Sequence, residues 1–394
     1  MGLKILLIGI IIAIIIYEGN EFLNVTGLLS YPVANKAKNG CQYIKGFSGG
    51  GAEDITKISE NFAVTGGDKR HELWEKKNGP ENVPNGGIFL IDLEMDNVYQ
   101  FKIRNFPQNR KFHPHGIYYN HESKILSVIN HGYDGIPSRI EQFKLDVSNV
   151  KEPVANHIRS LVVETEHNGV INDNIQISDD EYIVTQYLSQ PDPLKGRQNH
   201  TLLQKLKGSL KILFNLKSTF VLHCSFKSQY KLEKEVQMEC QRIEGTYGTM
   251  MNGITWDRNK EVVVADTVDK KLYFYQLQQD KAKNQILQLK KIIPSSYLID
   301  NIEFDKFYNQ YIGGGIGRAI EHLQYSANSE AYPADKPYWA SVDVVKKDEN
   351  GEIGQLKNIL VEERAILGCS SALLYKNKVY LGSWTDTQIA VCQL

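Results

Sequence analysis

The stretch EVVVADTVDKKLYFYQLQ, residues 261–278, decides the fold class. It contains two short runs of β-branched and aromatic residues with a polar turn between them, and such runs are typical of antiparallel strands. The same pattern recurs in KVYLGSWTDTQIAVCQL, residues 378–394. Between residue 53 and the C-terminus little of the sequence is typical of helix. The sequence therefore predicts an all-β sandwich, barrel or propeller.

The strand-like runs recur in sets, and each set opens with two polar or small residues, usually followed by Ile. The six openings are Glu53–Ile55, His115–Ile117, Asn172–Asn174, Asn252–Ile254, Asp300–Ile302 and Ser370–Ala372. Repetition of a supersecondary unit is the signature of a propeller, in which each set forms one blade. We therefore predict a six-bladed β-propeller. A sandwich with as many strands is the alternative.

The openings are rich in oxygen donors. Their first two positions contain four carboxylates and three amides: Glu53, Asp54, Asn172, Asp173, Asn252, Asp300 and Asn301. In a propeller, equivalent positions of the innermost strands meet at one end of the central channel. Carboxylates crowded there would repel one another without a cation, and calcium takes six to eight oxygen ligands. The pattern predicts one or two central calcium ions. The alternative is that each pair is only a turn.

Two histidines lie in FHPHGIYYN, residues 112–120. His115 falls at the repeat position that faces the channel, so it is the candidate general base, because histidine changes charge near neutral pH. His131, in LSVINHGYDG, follows the next strand of the same set and could orient His115. His113 precedes Pro114 in an approach loop, and we expect it to be structural or exposed.

The N-terminus MGLKILLIGIIIAIIIYEGNEF, residues 1–22, carries one lysine and an apolar run from Ile5 to Ile16. The run is shorter than the roughly 20 residues of a spanning helix and resembles a signal-peptide core. Because no Ala-x-Ala-like cleavage site follows, we expect residues 1–17 to be an uncleaved signal that serves as a membrane anchor. Residues 18–40 would then be a juxtamembrane segment and residues 41–394 the propeller.

This segment predicts the secretory pathway, with the propeller lumenal or extracellular and either membrane-anchored or secreted. The sequons at Asn24 (NVT) and Asn199 (NHT) are then glycosylation sites. The net charge of the 394-residue chain is -1, and its basic residues are spread along the sequence. A nucleic-acid partner is therefore not expected.

An odd number of cysteines leaves at least one without an intramolecular partner. The five are Cys41, Cys224, Cys240, Cys369 and Cys392. A bridge between Cys41 and Cys392 would close nearly the whole chain into a ring. Cys224 and Cys240 lie in flanking strand-like runs that a hairpin could bring together, and whether they pair stays open.

Several motifs from about residue 40 to the C-terminus together resemble those of the serum paraoxonase and arylesterase family. They are CQYIKGFSGGGAED, HPHGI, VINH, INDN, MNGITWD, LIDNIEFD and the terminal VCQL, in the family's order and spacing. Members of that family are six-bladed propellers that hydrolyse lactones and aryl esters with calcium. The resemblance therefore implies an enzyme of that kind.

The resemblance also implies a role for individual residues. A catalytic calcium would be held by Glu53, Asn172, Asn252, Asp300 and Asn301. A second, structural calcium would use Asp54, Asp173 and the backbone carbonyl of Ile117. The histidine pair would be His115 and His131, and the disulfide that joins the termini would be Cys41 with Cys392. The family retains its N-terminal apolar segment as an anchor, which implies a membrane or lipid surface as a partner.

The chain departs from the family in two regions. VTQYLSQ, residues 184–190, and YIGGGIG, residues 311–317, lack histidines that the family places in its pocket, so the resemblance does not predict the substrate preference. Residues 193–220 form an insertion with leucines and lysines at helical spacing: Leu202, Leu206, Leu210, Leu213 and Leu216, with Lys205, Lys207, Lys211 and Lys217. This amphipathic helix would rest on a membrane surface near the channel mouth, or pack on the propeller as a lid.

The predicted activity is calcium-dependent hydrolysis of a lactone or ester, with His115 activating water. The competing prediction is a membrane-anchored propeller without activity that acts as a chaperone or accessory subunit of a membrane protein. The complete ligand set and both histidines favour catalysis. The missing pocket histidines and the anchor favour the alternative.

Overall fold

The computed structural model describes most of the chain after the N-terminal segment. The described ranges are 31–70, 82–135, 137–163, 170–193, 196–230, 233–280, 285–327 and 336–394, together with residues 19, 20, 23, 26–28, 72, 332 and 333. The predicted anchor, residues 1–17, and the sequon at Asn24 lie outside the described residues. The sequon at Asn199 is described and exposed to solvent.

The described strands fall into six groups, which we call units 1–6, and each unit is an antiparallel meander of four strands. Unit 1 contains β2 (Gly51–Lys57), β3 (Phe62–Asp68), β4 (Gly87–Asp92) and β5 (Asn97–Gln100). Unit 2 contains β7 (Pro114–Asn120), β8 (Ile125–Asn130), β9 (Arg139–Asp146) and β10 (Val154–Val163). Unit 3 contains β11 (Val170–Gln176), β12 (Glu181–Leu188), β13 (Phe220–Ser225) and β14 (Glu235–Arg242).

The second half of the chain repeats this arrangement. Unit 4 contains β15 (Met251–Trp256), β16 (Glu261–Asp266), β17 (Lys271–Gln279) and β18 (Gln285–Pro294). Unit 5 contains β19 (Leu298–Asp305), β20 (Gln310–Ile316), β21 (Trp339–Lys347) and β22 (Ile353–Glu363). Unit 6 contains β23 (Cys369–Tyr375), β24 (Lys378–Ser383), β25 (Ala390–Gln393) and the N-terminal β1 (Cys41–Tyr43). The short strand β6 (Lys102–Arg104) pairs with β10, and β10 also pairs with β14.

The first strand of each unit contacts the first strand of the next unit. The contacts run from β2 to β7, β11, β15, β19 and β23, and β23 contacts β2 again. Meanders arranged in a ring around a shared axis form a β-propeller. The prediction of an all-β propeller is therefore confirmed, and each predicted opening lies in the first strand of a unit.

The ring is closed by strands from both ends of the described chain. In unit 6 β1 pairs with β25, and the register places Cys41 opposite Cys392. These cysteines form a disulfide with an S–S distance of 1.98 Å, which we call the ring-closing disulfide. A second bond joins Cys224 to Cys240 across β13 and β14, and we call it the hairpin disulfide. The fifth cysteine, Cys369, is buried and free.

The stretch at residues 261–278 shows why the central strands of a unit are continuously apolar. Side chains of a strand alternate between its two faces. In β16, Val262 and Val264 pack towards unit 3, while Val263 and Ala265 pack towards unit 5. Because a unit is enclosed by neighbours on both faces, its central strands carry an apolar run in place of apolar–polar alternation.

Two α-helices of the described chain lie between strands. Helix α1 (Leu202–Leu213) lies in the predicted insertion and begins with a capping box between Thr201 and Gln204. Helix α2 (Ala319–Ala327), between β20 and β21, was not predicted from the sequence, so the expectation of almost no helix after residue 53 was incomplete. Within the described part of the chain, neither helix is long and apolar enough to cross a membrane.

Candidate functional site

The opening residues leave the regular strand ladder at equivalent positions in all six units. The register between the first and second strands shifts between Ala52 and Ile55, Pro114 and Ile117, Ile171 and Asn174, Met251 and Ile254, Ile299 and Ile302, and Cys369 and Ser371. Such irregularities release residues from pairing and redirect their side chains. The openings therefore present their polar groups to the channel.

Two openings require glycine because neighbouring first strands approach closely. A Cβ atom on Gly116 would lie 2.4 Å from the carbonyl oxygen of Asn172. One on Gly253 would lie 2.5 Å from Cα of Asn301. Any larger residue would push the strands apart at the level of the candidate ligands.

The predicted ligands of the catalytic calcium lie together at this level. Asn301 donates from Nδ2 to Glu53 Oε1 over 2.8 Å, although the two residues are 248 positions apart. Asn252 donates to Asp300 and also, over 3.1 Å, to Thr267 Oγ1. The ring of first strands thus brings units 1, 4 and 5 into direct contact through polar side chains.

Asn172, the fifth predicted ligand, is connected to the other four through His115. Asn172 Nδ2 lies 3.3 Å from His115 Nε2, and Glu53 Oε1 lies 3.5 Å from the same nitrogen. All three residues are at least 95% buried. His115 therefore borders the oxygen cluster, and we call Glu53, Asn172, Asn252, Asp300 and Asn301 the oxygen cluster from here on.

Four oxygens of this cluster are buried without a hydrogen-bond partner. They are Glu53 Oε2, Asn172 Oδ1, Asn252 Oδ1 and Asn301 Oδ1. Each amide uses its nitrogen in a hydrogen bond and leaves its oxygen unsatisfied, whereas buried polar atoms in native proteins nearly always have partners. Carboxylate and amide oxygens are the ligands that calcium prefers. The residues present therefore fit a calcium ion.

The charges of the cluster support the same fit. Burial, followed by Glu53 and Asp54, raises the pKa of Asp300 well above its ordinary value. Burial also opposes ionisation of Glu53, but His115 and Arg70 lower its pKa. Among the described residues no group of three or more His, Cys, Asp or Glu side chains is arranged to hold a metal ion. The fit therefore depends on amide oxygens.

The residues implied for the structural calcium are arranged differently. Asp54 accepts hydrogen bonds from the backbone nitrogens of Ile55 (2.8 Å) and Ile117 (2.9 Å). Asp173 accepts from those of Asn174 (2.7 Å) and Ile254 (2.9 Å). Each carboxylate thus joins its unit to the next one. Their oxygens all have partners, so the unsatisfied atoms support the first calcium and leave the second a prediction.

The pKa values of these two carboxyls are nevertheless raised. Burial and the neighbouring Glu53 raise the pKa of Asp54 to about 8. Burial and Asp54 raise the pKa of Asp173 well above its ordinary value. Glu303, which the sequence reasoning did not single out, has its pKa raised by burial and by both aspartates. Asp54, Asp173 and Glu303 therefore lie close enough together to oppose ionisation, and the proximity of Glu303 could not be recognised without the strand register.

The two candidate catalytic histidines form a direct pair. His115 Nδ1 lies 2.8 Å from His131 Nε2, and His131 Nδ1 lies 2.7 Å from Ser138 Oγ. Burial, followed by Arg70, lowers the pKa of His115. Burial and His115 lower the pKa of His131 well below its ordinary value. Lowered pKa values favour the neutral form of both rings, which can accept a proton.

His113 is placed elsewhere. It is 1% exposed, and its Nδ1 lies 3.0 Å from Asp68 Oδ1. The expectation that it is structural agrees with this placement, whereas exposure is excluded.

A cavity of about 620 Å³ is lined by His115 and by four residues of the oxygen cluster, Glu53, Asn172, Asn252 and Asp300, and it extends to an apolar wall. The wall includes Ile212 and Leu213 of α1, Leu323 of α2, and Trp384 of unit 6. Helix α1 therefore covers the cavity, as the lid interpretation of the insertion expected, while its leucines Leu202, Leu203 and Leu206 are exposed. Sequence reasoning missed α2 and Trp384 because neither belongs to the repeated openings.

The wall also contains groups that replace the missing pocket histidines. Tyr187, in one of the departing regions, packs edge-on against His115 with ring centroids 5.6 Å apart. Its hydroxyl accepts a hydrogen bond of 2.6 Å from Arg197. His322 of α2 lines the same cavity and packs against Trp384. The cavity is thus bordered by different polar groups from those the resemblance would place there.

Comparison with known proteins gave distant structural similarity only. No protein-family model and no curated protein matches the chain. The chain is similar to the PQQ-bound aldose sugar dehydrogenase of Streptomyces coelicolor, at 10% identity and a TM-score of 0.43 over 92% of this chain and 99% of that one.

Two other solved structures are similar to the same extent. A luciferin-regenerating enzyme shows 9% identity and a TM-score of 0.43 over 92% of this chain and 96% of that one. The periplasmic gluconolactonase of Pseudomonas aeruginosa shows 8% identity and a TM-score of 0.42 over 86% and 80%. These values carry no inference about function, and the fold rests on the strand topology described above.

Proposed function

We propose that the chain is a six-bladed propeller, one blade per unit, that hydrolyses lactones and aryl esters with calcium. The observation that supports this most is the set of four buried oxygens without partners beside the His115–His131 pair, where Glu53, Asn172, Asn252 and His115 line one cavity. An oxygen site supplies the place for a hard cation, and the histidines supply a base.

The oxygen cluster would hold the catalytic calcium, and the resemblance assigns Asp54, Asp173 and the carbonyl of Ile117 to a structural one. When bound, calcium supplies a Lewis acid that polarises a carbonyl group and stabilises the negative charge developing on its oxygen. The unsatisfied oxygens of Asn172, Asn252 and Asn301 are the protein groups that support this assignment.

His115 acts as the general base in this mechanism. Its Nε2 borders the cavity and takes a proton from the attacking water, and the same proton later passes to the departing alkoxide. Glu53 Oε1, 3.5 Å from Nε2, stabilises the ring while it is charged. His131 holds the opposite nitrogen of His115 and fixes the plane of its ring.

The cavity walls bind the rest of the substrate. Ile212, Leu213, Leu323 and Trp384 form an apolar surface suited to the hydrocarbon part of a lactone or the ring of an aryl ester. In the cell we propose that the protein enters the secretory pathway, is glycosylated at Asn199 and Asn24, and is anchored by residues 1–17 to a membrane or lipid surface.

The alternative function is a membrane-anchored propeller without activity that assists a membrane protein. A purely structural calcium would explain the oxygen cluster equally well. It would leave unexplained why His115 and His131 are buried together beside a 620 Å³ cavity. The enzyme is therefore the better-supported proposal.

The test is a panel of lactones and aryl esters assayed with the full chain in calcium and then in a chelator. We expect calcium-dependent turnover that falls roughly 10²-fold or more in His115→Gln, because general-base assistance contributes about 10²- to 10⁴-fold. His113→Gln is the matched control, since it also replaces a buried imidazole but lies outside the cavity. Turnover of no substrate in the panel, or equal losses in both variants, would refute the proposed reaction.

A further inference from the structure

The end of one hairpin brings a serine against the second histidine. In unit 2 the last pair of β8 and β9 is Asn130 opposite Arg139. The next residue on each side is His131 and Ser138, so continuation of the register places these two side chains together. Their atoms Nδ1 and Oγ lie 2.7 Å apart.

Backbone hydrogen bonds fix both residues, His131 and Ser138, at the end of this hairpin. The nitrogen of His131 donates to the carbonyl oxygen of His113 over 3.2 Å, and the nitrogen of Val163 donates to that of Ser138 over 3.2 Å. The connecting loop is held by Arg139, which is fully buried and bonds both Asp134 and Glu141. Ser138 therefore has little freedom to move away from His131.

The closer of the two contacts of His115 Nε2 favours one order of protons in this hydrogen-bonded chain. Glu53 Oε1 lies 3.5 Å from Nε2, whereas the amide nitrogen of Asn172 lies 3.3 Å away and can only donate, so in this order Nε2 accepts and carries no proton. The neutral His115 ring then carries its proton on Nδ1 and donates it to Nε2 of His131. His131 is consequently protonated on Nδ1, which donates to Ser138 Oγ.

The other proton order would disable the base. If Ser138 gave no acceptor, the buried Nδ1–H of His131 would lack a partner, which is costly. His131 would then favour the tautomer with its proton on Nε2, and this proton would face the one on His115 Nδ1. His115 would have to move its proton to Nε2 and would lose the lone pair with which Nε2 takes up a proton.

We propose that Ser138 is a positioning residue that fixes the tautomers of His131 and, through it, of His115. This inference rests on the proposed function for its catalytic consequence. The tautomers themselves belong to the resting protein and exist whether or not it hydrolyses a lactone.

The first measurement is therefore independent of activity. The full chain is labelled with ¹⁵N in the histidine rings, and two-bond ¹H–¹⁵N correlations identify which ring nitrogen carries the proton. His131→Gln and His115→Gln assign the two signals among the ten histidines. We expect both rings as the Nδ1–H tautomer in the wild type and a mixture in Ser138→Ala. A wild-type Nε2–H tautomer at His131, or identical spectra in Ser138→Ala, would overturn the inference.

The second measurement is kinetic. Loss of one hydrogen bond to the pair should lower kcat by about tenfold in Ser138→Ala with KM unchanged, and Ser138→Thr, which keeps the hydroxyl, should restore it. The matched control is Ser160→Ala, because the Ser160 hydroxyl also belongs to a serine of unit 2 but bonds Glu141. It should keep the wild-type kcat.

The two measurements distinguish failure of the proposed function from failure of the proposed role of Ser138. A protein without lactonase activity but with the expected tautomers would refute the proposed function and support the role of Ser138. An unchanged kcat in Ser138→Ala of an active enzyme, or equal kcat losses in Ser138→Ala and Ser138→Thr, would overturn that role.

Discussion

Calcium should stabilise the fold by an amount that depends on Asn252. Its Oδ1 is one of four buried acceptors without partners, and each such atom costs roughly 1–3 kcal/mol when unsatisfied. A bound cation removes these costs, so binding and folding are coupled. At a calcium concentration of 100 times Kd, the coupling stabilises the folded state by about 2.7 kcal/mol.

The expected change in melting temperature follows from the length of the chain. Unfolding entropy is about 2.1 cal/mol/K per residue, which gives roughly 0.8 kcal/mol/K for this protein. A stabilisation of about 2.7 kcal/mol therefore corresponds to a rise of about 3 °C between chelator and calcium. Differential scanning calorimetry of the full chain in both conditions measures it.

Asn252→Ala should lose most of this calcium-dependent rise, because the variant lacks one of the proposed ligands. Asn358→Ala is the control: Asn358 bonds Asp343 in the outer part of unit 5, and its removal should lower both melting temperatures equally. The reasoning is refuted if the wild type melts at the same temperature in calcium and chelator. It is also refuted if Asn252→Ala keeps the full rise.

The remaining predictions concern stability. The ring-closing disulfide spans 351 residues and the hairpin disulfide 16. Chain entropy predicts that they stabilise the fold by about 6 and about 3 kcal/mol, respectively. Replacing both cysteines of the ring-closing disulfide by Ala should therefore lower the free energy of unfolding, measured by guanidinium titration, about twice as much as the same change in the hairpin disulfide. Equal losses would contradict this. Burial opposes ionisation of Asp192, but Arg197 and His200 hold its pKa below the ordinary value. The stability that ionised Asp192 contributes is present above about pH 4 and is lost as the pH falls. The melting temperature of Asp192→Asn should therefore depend less steeply on pH in the acid range than that of the wild type. Parallel plots of melting temperature against pH for the two proteins would argue against this.

Much of the fold could be predicted because its determinants are local and repeated. Each strand is indicated by its β-branched and aromatic residues, and each opening repeats a polar pair before an apolar residue. The polar pairs face a channel common to all units, so the same physical requirement recurs at the same position. The candidate ligands and His115 could therefore be found by their place in the repeat alone.

Other features could not be predicted because they depend on pairs of residues from different elements. The bond between Cys224 and Cys240 required the register of β13 and β14, and the expectation had left it open. The contact of His131 with Ser138 required the register of β8 and β9. Helix α2 has no counterpart in the other units, so the repeat offered no signal for it.

The amino-acid sequence is enough to predict the strand composition, the six openings and the types of side chain that meet in the channel. The hydrogen bonds that these side chains make follow only from the folded ring. The amides of Asn172, Asn252 and Asn301 use their nitrogens in hydrogen bonds to residues of other units and leave their oxygens without partners. A sequence gives the donors and acceptors of a residue, but their use depends on distances across the ring, which exist only after the last unit closes on the first.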